Sequence, residues 1–97
     1  MSERPQAITV IDNTEKHRFE STVDGETALL VYRVLGDTIT LVHTEVPATL
    51  AGRGLGGELA RAALTAARMR GLKVVPACPF VRAYIARHPE FADLVAT

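Results

Sequence analysis

Four glycines fall within six positions in the stretch Leu50-Ala51-Gly52-Arg53-Gly54-Leu55-Gly56-Gly57-Glu58-Leu59, and a helical pattern starts directly behind them. Without a Cβ, glycine lets the backbone turn sharply and approach a bound group closely. A helix start adds unpaired N–H donors and the positive end of a dipole, which together attract phosphate. Such a loop suits an anionic group. The single thiol, Cys78, comes just before Pro79, and proline fits the first position of a helix. Cys78 is therefore expected at a helix N-cap, where the dipole, with Lys73 and Arg82 nearby in sequence, favours thiolate over thiol. His43 and Glu45 stand two apart on a strand pattern and share a face; they could act as a base, directly or through water, or simply face solvent. His88 lies ten residues beyond Cys78, about 15 Å along a helix, so it is expected to cap the helix end before Pro89 rather than pair with the thiol. His17 sits in a polar strand with no role. Three scattered histidines and one cysteine make no metal site.

Two familiar phosphate loops fail on spacing. A P-loop needs a Lys-Ser or Lys-Thr pair after its glycines, and none follows here. A dinucleotide fingerprint needs G-x-G-x-x-G after the first strand of a large parallel sheet, with an acidic residue about 20 positions on. The spacing here is Gly52-x-Gly54-x-Gly56-Gly57, and 97 residues are too few for that fold. A glycine-rich start that only packs tightly is the remaining alternative to an anion cradle.

The elements that must position these groups follow from periodicity. Residues 7–12 read as a first strand and residues 16–22 as a second, polar one. Asp24-Gly25 is a turn; residues 27–35 form an apolar strand, Gly36-Asp37 a hairpin, and residues 38–46 the return strand, stopped by Pro47. On that strand simple alternation puts Ile39, Leu41, His43 and Glu45 on one face and Thr40, Val42, Thr44 and Val46 on the other. Residues 54–70 form the clearest helix. Its polar strip is Glu58, Arg61, Thr65 and Arg68, and its apolar side is Leu55, Leu59, Ala62, Ala63, Ala66 and Met69. Gly71 ends it. Residues 72–76 form a short buried strand. Pro79–Arg87 form a second helix with Phe80, Val81, Tyr84, Ile85 and His88 on one side, and residues 91–95 make a last turn on the core. The order is four strands, helix, strand, helix, an α/β arrangement.

At 97 residues the chain is one domain, burying roughly 60–65% of its unfolded surface. No apolar run nears the ~20 residues of a membrane span. The first six residues lack the pattern of a signal peptide, and one cysteine cannot close an internal disulfide. The expected location is cytoplasmic. Net charge is zero, yet Arg53, Arg61, Arg68, Arg70, Lys73, Arg82 and Arg87 face only Glu58 in their stretch, while the acidic residues gather in the first half. This segregation fits either an anionic ligand on the C-terminal half or a solvated basic face. Nucleic acid is disfavoured, because the basic residues are not interleaved with stacking aromatics. No membrane partner is expected.

With these residues in place, the sequence resembles the GNAT superfamily of N-acyltransferases. Val46-Pro47, then Gly52-Arg53-Gly54-Leu55-Gly56-Gly57, then Leu59 and the alanine-rich helix are similar to that family's acyl-CoA-binding segment. Gly71-Leu72-Lys73-Val74-Val75-Pro76-Ala77-Cys78-Pro79-Phe80-Val81, with Tyr84-Ile85 and His88-Pro89, narrows the resemblance to its small stand-alone group of YjdJ-type bacterial and NATD-type eukaryotic proteins. It spans residues 7–95. The combination of Thr44-Glu45-Val46-Pro47, the glycine loop and Cys78-Pro79-Phe80 is specific; the loop alone is not.

The resemblance implies a mixed, mostly antiparallel sheet with a βαβα C-terminal half and splayed central strands, residues 38–46 and 72–76. It implies acetyl-CoA as the acyl donor, with pyrophosphate on the amides of Arg53, Gly54, Leu55, Gly56 and Gly57. Pantetheine would run along the strand edge at Thr44, Glu45 and Val46, as an added strand does. The superfamily usually carries Gln or Arg three residues before the first glycine of its Gly-x-Gly; this chain has Ala51, which shifts the expected contacts to the backbone. Cys78 could attack the acetyl thioester, line the acetyl pocket, or fill space in the core. Tyr84 matches the family's tyrosine that protonates the departing CoA sulfur, and is equally readable as a core aromatic. The implied function is an N-acetyltransferase with an amine acceptor, a small molecule or a peptide. The alternative is a CoA-binding module with little or no turnover, because the chain is largely consumed in building the cofactor side.

Overall fold

Two long runs rich in β-branched residues meet at Gly36-Asp37, and they form the hairpin at the middle of the sheet. The computed structural model describes residues 8–96. It holds β1 (Ile11–Asn13), β2 (Arg18–Val23), β3 (Glu26–Leu35), β4 (Thr38–Glu45), a 3-10 turn (Ala48–Leu50), α1 (Leu55–Arg70), β5 (Lys73–Pro76), α2 (Pro79–Arg87) and a closing 3-10 segment (Pro89–Leu94). The five strands lie in sequence order in one sheet. All neighbours are antiparallel except β4 and β5, which run parallel with α1 as their crossover. The expected fold class is therefore observed.

The first strand is shorter than its sequence pattern. Only Ile11, Asp12 and Asn13 pair with β2, while Ile8 and Val10 pack against the core instead; Ala7 lies outside the described residues. Tyr32 fixes this edge by donating its hydroxyl to Asp12 Oδ1 at 2.6 Å.

Alternation on β4 breaks at Val42. Tyr32 pairs with Leu41 but Val31 pairs with His43, so Val42 is an extra residue, a β-bulge. One added residue exchanges the faces of everything beyond it. Ile39 and Leu41 point into the core, whereas His43 and Glu45 point to the opposite, exposed face. Thr44, paired with fully buried Leu30, turns to the core side instead. The expected grouping of Ile39, Leu41, His43 and Glu45 is thus corrected by the bulge.

The two helices close one side of the sheet. Phe19, Ala28, Leu30, Tyr32, Ile39, Leu41 and Val74 from the strands share a single core with both helices. On α1 the buried stripe is Leu55, Gly56, Leu59, Ala60, Ala63, Leu64 and Ala67. Met69, expected inside, is 83% exposed. An alanine-rich helix has so broad an apolar arc that small rotations look alike in sequence. Among its fully buried leucines, Leu59 and Leu64 in the middle of the helix decide which way it turns, and replacing either by alanine costs about 2–5 kcal/mol. Gly71 ends the helix with φ 69°. Arg68 then clamps the closing 3-10 segment with a forked contact to Asp93 and a bond to the Glu90 carbonyl. No described helix is long and apolar enough to cross a membrane.

Candidate functional site

The glycine loop is seated before it does any chemistry. Leu50, 2% exposed, plugs the core at its start. Thr49 donates to Glu26 Oε2 at 2.8 Å, and Arg53 Nη1 stands 3.5 Å from Asp24 Oδ2. Both acids belong to the β2–β3 turn, so two threads tie the loop to the sheet. Gly52 and Gly54 adopt φ 83° and 81°, a left-handed conformation that strains any residue with a Cβ. Gly54 is the N-cap of α1.

What this geometry exposes is a set of donors. Arg53 N–H is turned back onto the Leu50 carbonyl, and Glu58 N–H bonds to the Gly54 carbonyl. Between them, the amides of Gly54, Leu55, Gly56 and Gly57 form no backbone hydrogen bond among the described residues. They open into a cleft of about 390 Å³. Its other walls are Thr44 and Val46 from the end of β4, Leu50, Ala51 and Gly52 from the loop, and the ring of Phe80 from α2.

The cleft sits where the parallel strands part. Pairing of β4 with β5 runs from Thr38–Lys73 to Leu41–Pro76 and stops. Cys78 N–H then bonds to the Leu41 carbonyl at 3.0 Å, and the chain turns into α2. Beyond this point β4 continues to Glu45 paired with β3 on one side, its other edge free of β5. The expected splay is present, and the proline of β5 marks its origin.

Cys78 is the N-cap of α2 with Pro79 at the first turn, as its sequence position predicts. It is 4% exposed, and its Sγ lies 3.3 Å from Thr44 Oγ1. Burial pushes its thiol up, but the Thr44 hydroxyl and the amides of Val81, Phe80 and Thr44 pull it down, and the balance is below the ordinary cysteine value. Arg82, expected to help, is engaged elsewhere. It donates to the Pro76 and Ala77 carbonyls at 3.0 Å each. The thiol is held by dipoles, not by cations.

Tyr84 lies one face away. Its ring stacks on His88 with centroids 3.9 Å apart, and it packs beside Gly57 without lining the cleft. Burial raises its phenol, Arg61 opposes this, and Glu58 and Glu90 add to it. The His88 ring donates from Nδ1 to the Tyr84 carbonyl at 2.9 Å, the helix-end cap its position predicts. His43 Nε2 and Glu45 Oε2 are 2.8 Å apart on the exposed face of the sheet. Among the described residues no group of three or more His, Cys, Asp or Glu is placed to hold a metal ion.

The structure thus brings Thr44, Val46, Leu55 and the glycines at 54, 56 and 57 to one cleft, with Cys78 directly behind Thr44. It leaves the side chains of Glu45, Arg53 and Tyr84 outside that lining. It adds Leu50, Ala51, Gly52 and Phe80. Phe80 had a signal in the Cys78-Pro79-Phe80 run, but helical spacing assigns it to the buried side of α2. Instead it is 39% exposed, its ring tip 2.8 Å from where a Gly56 Cβ would stand.

Comparison with known proteins gives the family and agrees with the fold. The family profile described as GCN5-related N-acetyl-transferase matches residues 18–94. Protein NATD1 of Xenopus tropicalis is 31% identical over 86 residues, covering 86% of this chain and 79% of its own length. Protein NATD1 of Homo sapiens is 33% identical, covering 84% of this chain and 75% of its own. The solution structure of a GCN5-like protein from Staphylococcus aureus superposes with a TM-score of 0.72 at 24% identity, covering 92% of this chain and 88% of that one; at that identity it speaks for the fold. On the family profile and the NATD1 relatives together, the chain belongs to the GCN5-related N-acetyltransferase family.

Proposed function

We propose that the protein binds acetyl-CoA in the cleft between the glycine loop and the free end of β4, and transfers the acetyl group to an amine. The observation that carries this reading is the row of unpaired amides at residues 54–57 facing the place where β4 and β5 separate. Four aimed N–H groups at a positive helix end suit a pyrophosphate without any cationic side chain, which accommodates Ala51. Thr44, Glu45 and Val46 offer a main-chain edge to pantetheine, which leads the thioester toward Thr44 and Cys78.

The Cys78 thiolate attacks the thioester carbonyl; the bond to the CoA sulfur breaks, and the CoA thiolate takes a proton. Tyr84, kept protonated by burial, is the donor of that proton. The amine then attacks the acetyl-cysteine, the Cys78 sulfur leaves, and the proton lost by the amine passes to water or to a base. His43 and Glu45, hydrogen-bonded on the open face, are the candidates for that base. The acceptor is an amine on a small molecule or a peptide.

A second reading has its own support. Cys78 is 4% exposed and Tyr84 does not line the cleft, which fits a CoA-binding module with little turnover. Acetyl-CoA separates these readings from each other and from failure. Binding at 100 times Kd adds about 2.7 kcal/mol of stability, so the melting temperature must rise; no rise at millimolar acetyl-CoA sinks both. Intact mass after incubation then tests the covalent route; absence of an adduct leaves direct transfer or simple binding. Gain of one acetyl group that disappears in Cys78→Ser supports the covalent route, and a screen of amine acceptors tests turnover.

A further inference from the structure

We infer that Phe80 sets the acyl-chain length the cleft accepts, admitting a short acyl group and rejecting longer ones. The inference rests on the acetyl-CoA reading and adds a specificity determinant to it. Phe80 belongs to both ends of the site. Its backbone follows Cys78, the N-cap of α2, by two residues, while its ring reaches across to Gly56 at the start of α1 and forms a wall of the cleft. An acyl group delivered to Thr44 and Cys78 therefore arrives beside this residue.

The ring is seated against the start of α1. Its Cζ, Cε2 and Cε1 atoms lie 2.8, 3.2 and 3.3 Å from the position a Cβ on Gly56 would occupy, so its tip fills the volume a side chain at position 56 would take. The glycine is the seat that lets the ring lie flat there. A phenyl ring is rigid, with only two side-chain torsions. Each methylene beyond the acetyl methyl has to displace it toward solvent or go unaccommodated. Phe80 is also the one large apolar side chain of the cleft left substantially exposed, at 39%, as a wall rather than a core residue would be.

The test is titration of wild type, Phe80→Ala and Phe80→Leu with CoA, acetyl-CoA, butyryl-CoA and hexanoyl-CoA, each variant first checked for a cooperative melt. Wild type should bind butyryl-CoA on the order of tenfold or more weakly than acetyl-CoA, the range expected when a pocket rejects extra methylenes. In Phe80→Ala that ratio should shrink to within about threefold, with Phe80→Leu between them. Equal ratios in all three proteins overturn the inference. So does a loss of CoA and every thioester alike in both variants, which makes Phe80 a general wall with no selectivity. Wild type that binds neither CoA nor any thioester overturns the acetyl-CoA reading itself, a distinct result.

Discussion

The Thr44 hydroxyl and the Cys78 thiol stand 3.3 Å apart, joining the end of β4 to the start of α2 across 34 residues of chain. Among the described residues no other side-chain polar group is hydrogen-bonded to the sulfur, so burial, this oxygen and the amides of Val81, Phe80 and Thr44 govern its ionisation. The thiol is held below the ordinary cysteine value, so thiolate accumulates at lower pH than in a free cysteine. Thr44→Val removes the hydroxyl and keeps the shape. The Cys78 titration, read from thiolate ultraviolet absorbance with no second thiol to confuse it, should move to higher pH, while Thr44→Ser should hold it near wild type. Coincident titrations for wild type and Thr44→Val would show that the helix amides act alone.

Gly56 and Phe80 make a second pair whose coupling can be measured. A Cβ at 56 meets the ring at 2.8 Å, and the ring, being the end of a side chain, swings rather than breaks the helix. Gly56→Ala should therefore cost about 1 kcal/mol of stability, the low end for overpacking, yet lower CoA affinity by pushing the ring into the cleft. Adding Phe80→Ala should restore binding, a coupling beyond the ~0.5 kcal/mol seen between independent sites. Gly54→Ala is the contrast: no atom lies within 4 Å, but φ is 81°, so it should lose about 1–2 kcal/mol in melting experiments with no rescue by Phe80→Ala. Rescue of both glycine variants alike would refute the steric account.

Tyr84 separates chemistry from binding. Tyr84→Phe keeps the stack on His88 and the packing beside Gly57, and removes the hydroxyl alone. Loss of a general acid lowers the rate about 10²–10⁴-fold, so kcat should fall in that range while acetyl-CoA still raises the melting temperature as in wild type. An unchanged kcat would return Tyr84 to a packing role.

From the central strand, Tyr32 reaches Asp12 on the edge strand β1 and links stability to alkaline pH. Burial first, and then the Asp12 carboxylate that accepts its hydroxyl, push the phenol up to about 12. A raised folded-state value means that the stability it contributes is complete below the ordinary tyrosine value of about 10. That part is lost as the pH climbs from there through about 12. The melting temperature of wild type should drop across this window. Tyr32→Phe should start lower by about 1–2 kcal/mol, since it leaves the edge strand untied, and then show a shallower alkaline decline. Parallel declines would assign the effect to other groups.

The local code of this chain was readable residue by residue. The hairpin at Gly36-Asp37, the helix stop at Gly71, the N-cap at Cys78 before Pro79 and the cap by His88 all depend on neighbours a few positions away, and short-range sterics and hydrogen bonds determine them. The glycine spacing and the Cys78-Pro79-Phe80 run were likewise enough to point to the family. The tertiary structure decided what depends on contacts between distant segments. The bulge at Val42 turns Thr44 toward Cys78 and sends His43 and Glu45 to the open face, yet Val42 is an ordinary strand residue, and only the pairing with β3 makes it extra. The rotation of α1 that exposes Met69 is decided by where Leu59 and Leu64 find room. Phe80 lies at the cleft because Gly56, 24 positions earlier, leaves its ring a seat. Periodicity describes one element at a time, whereas a register shift or a ring in a glycine's missing side-chain volume is a property of two elements packed together.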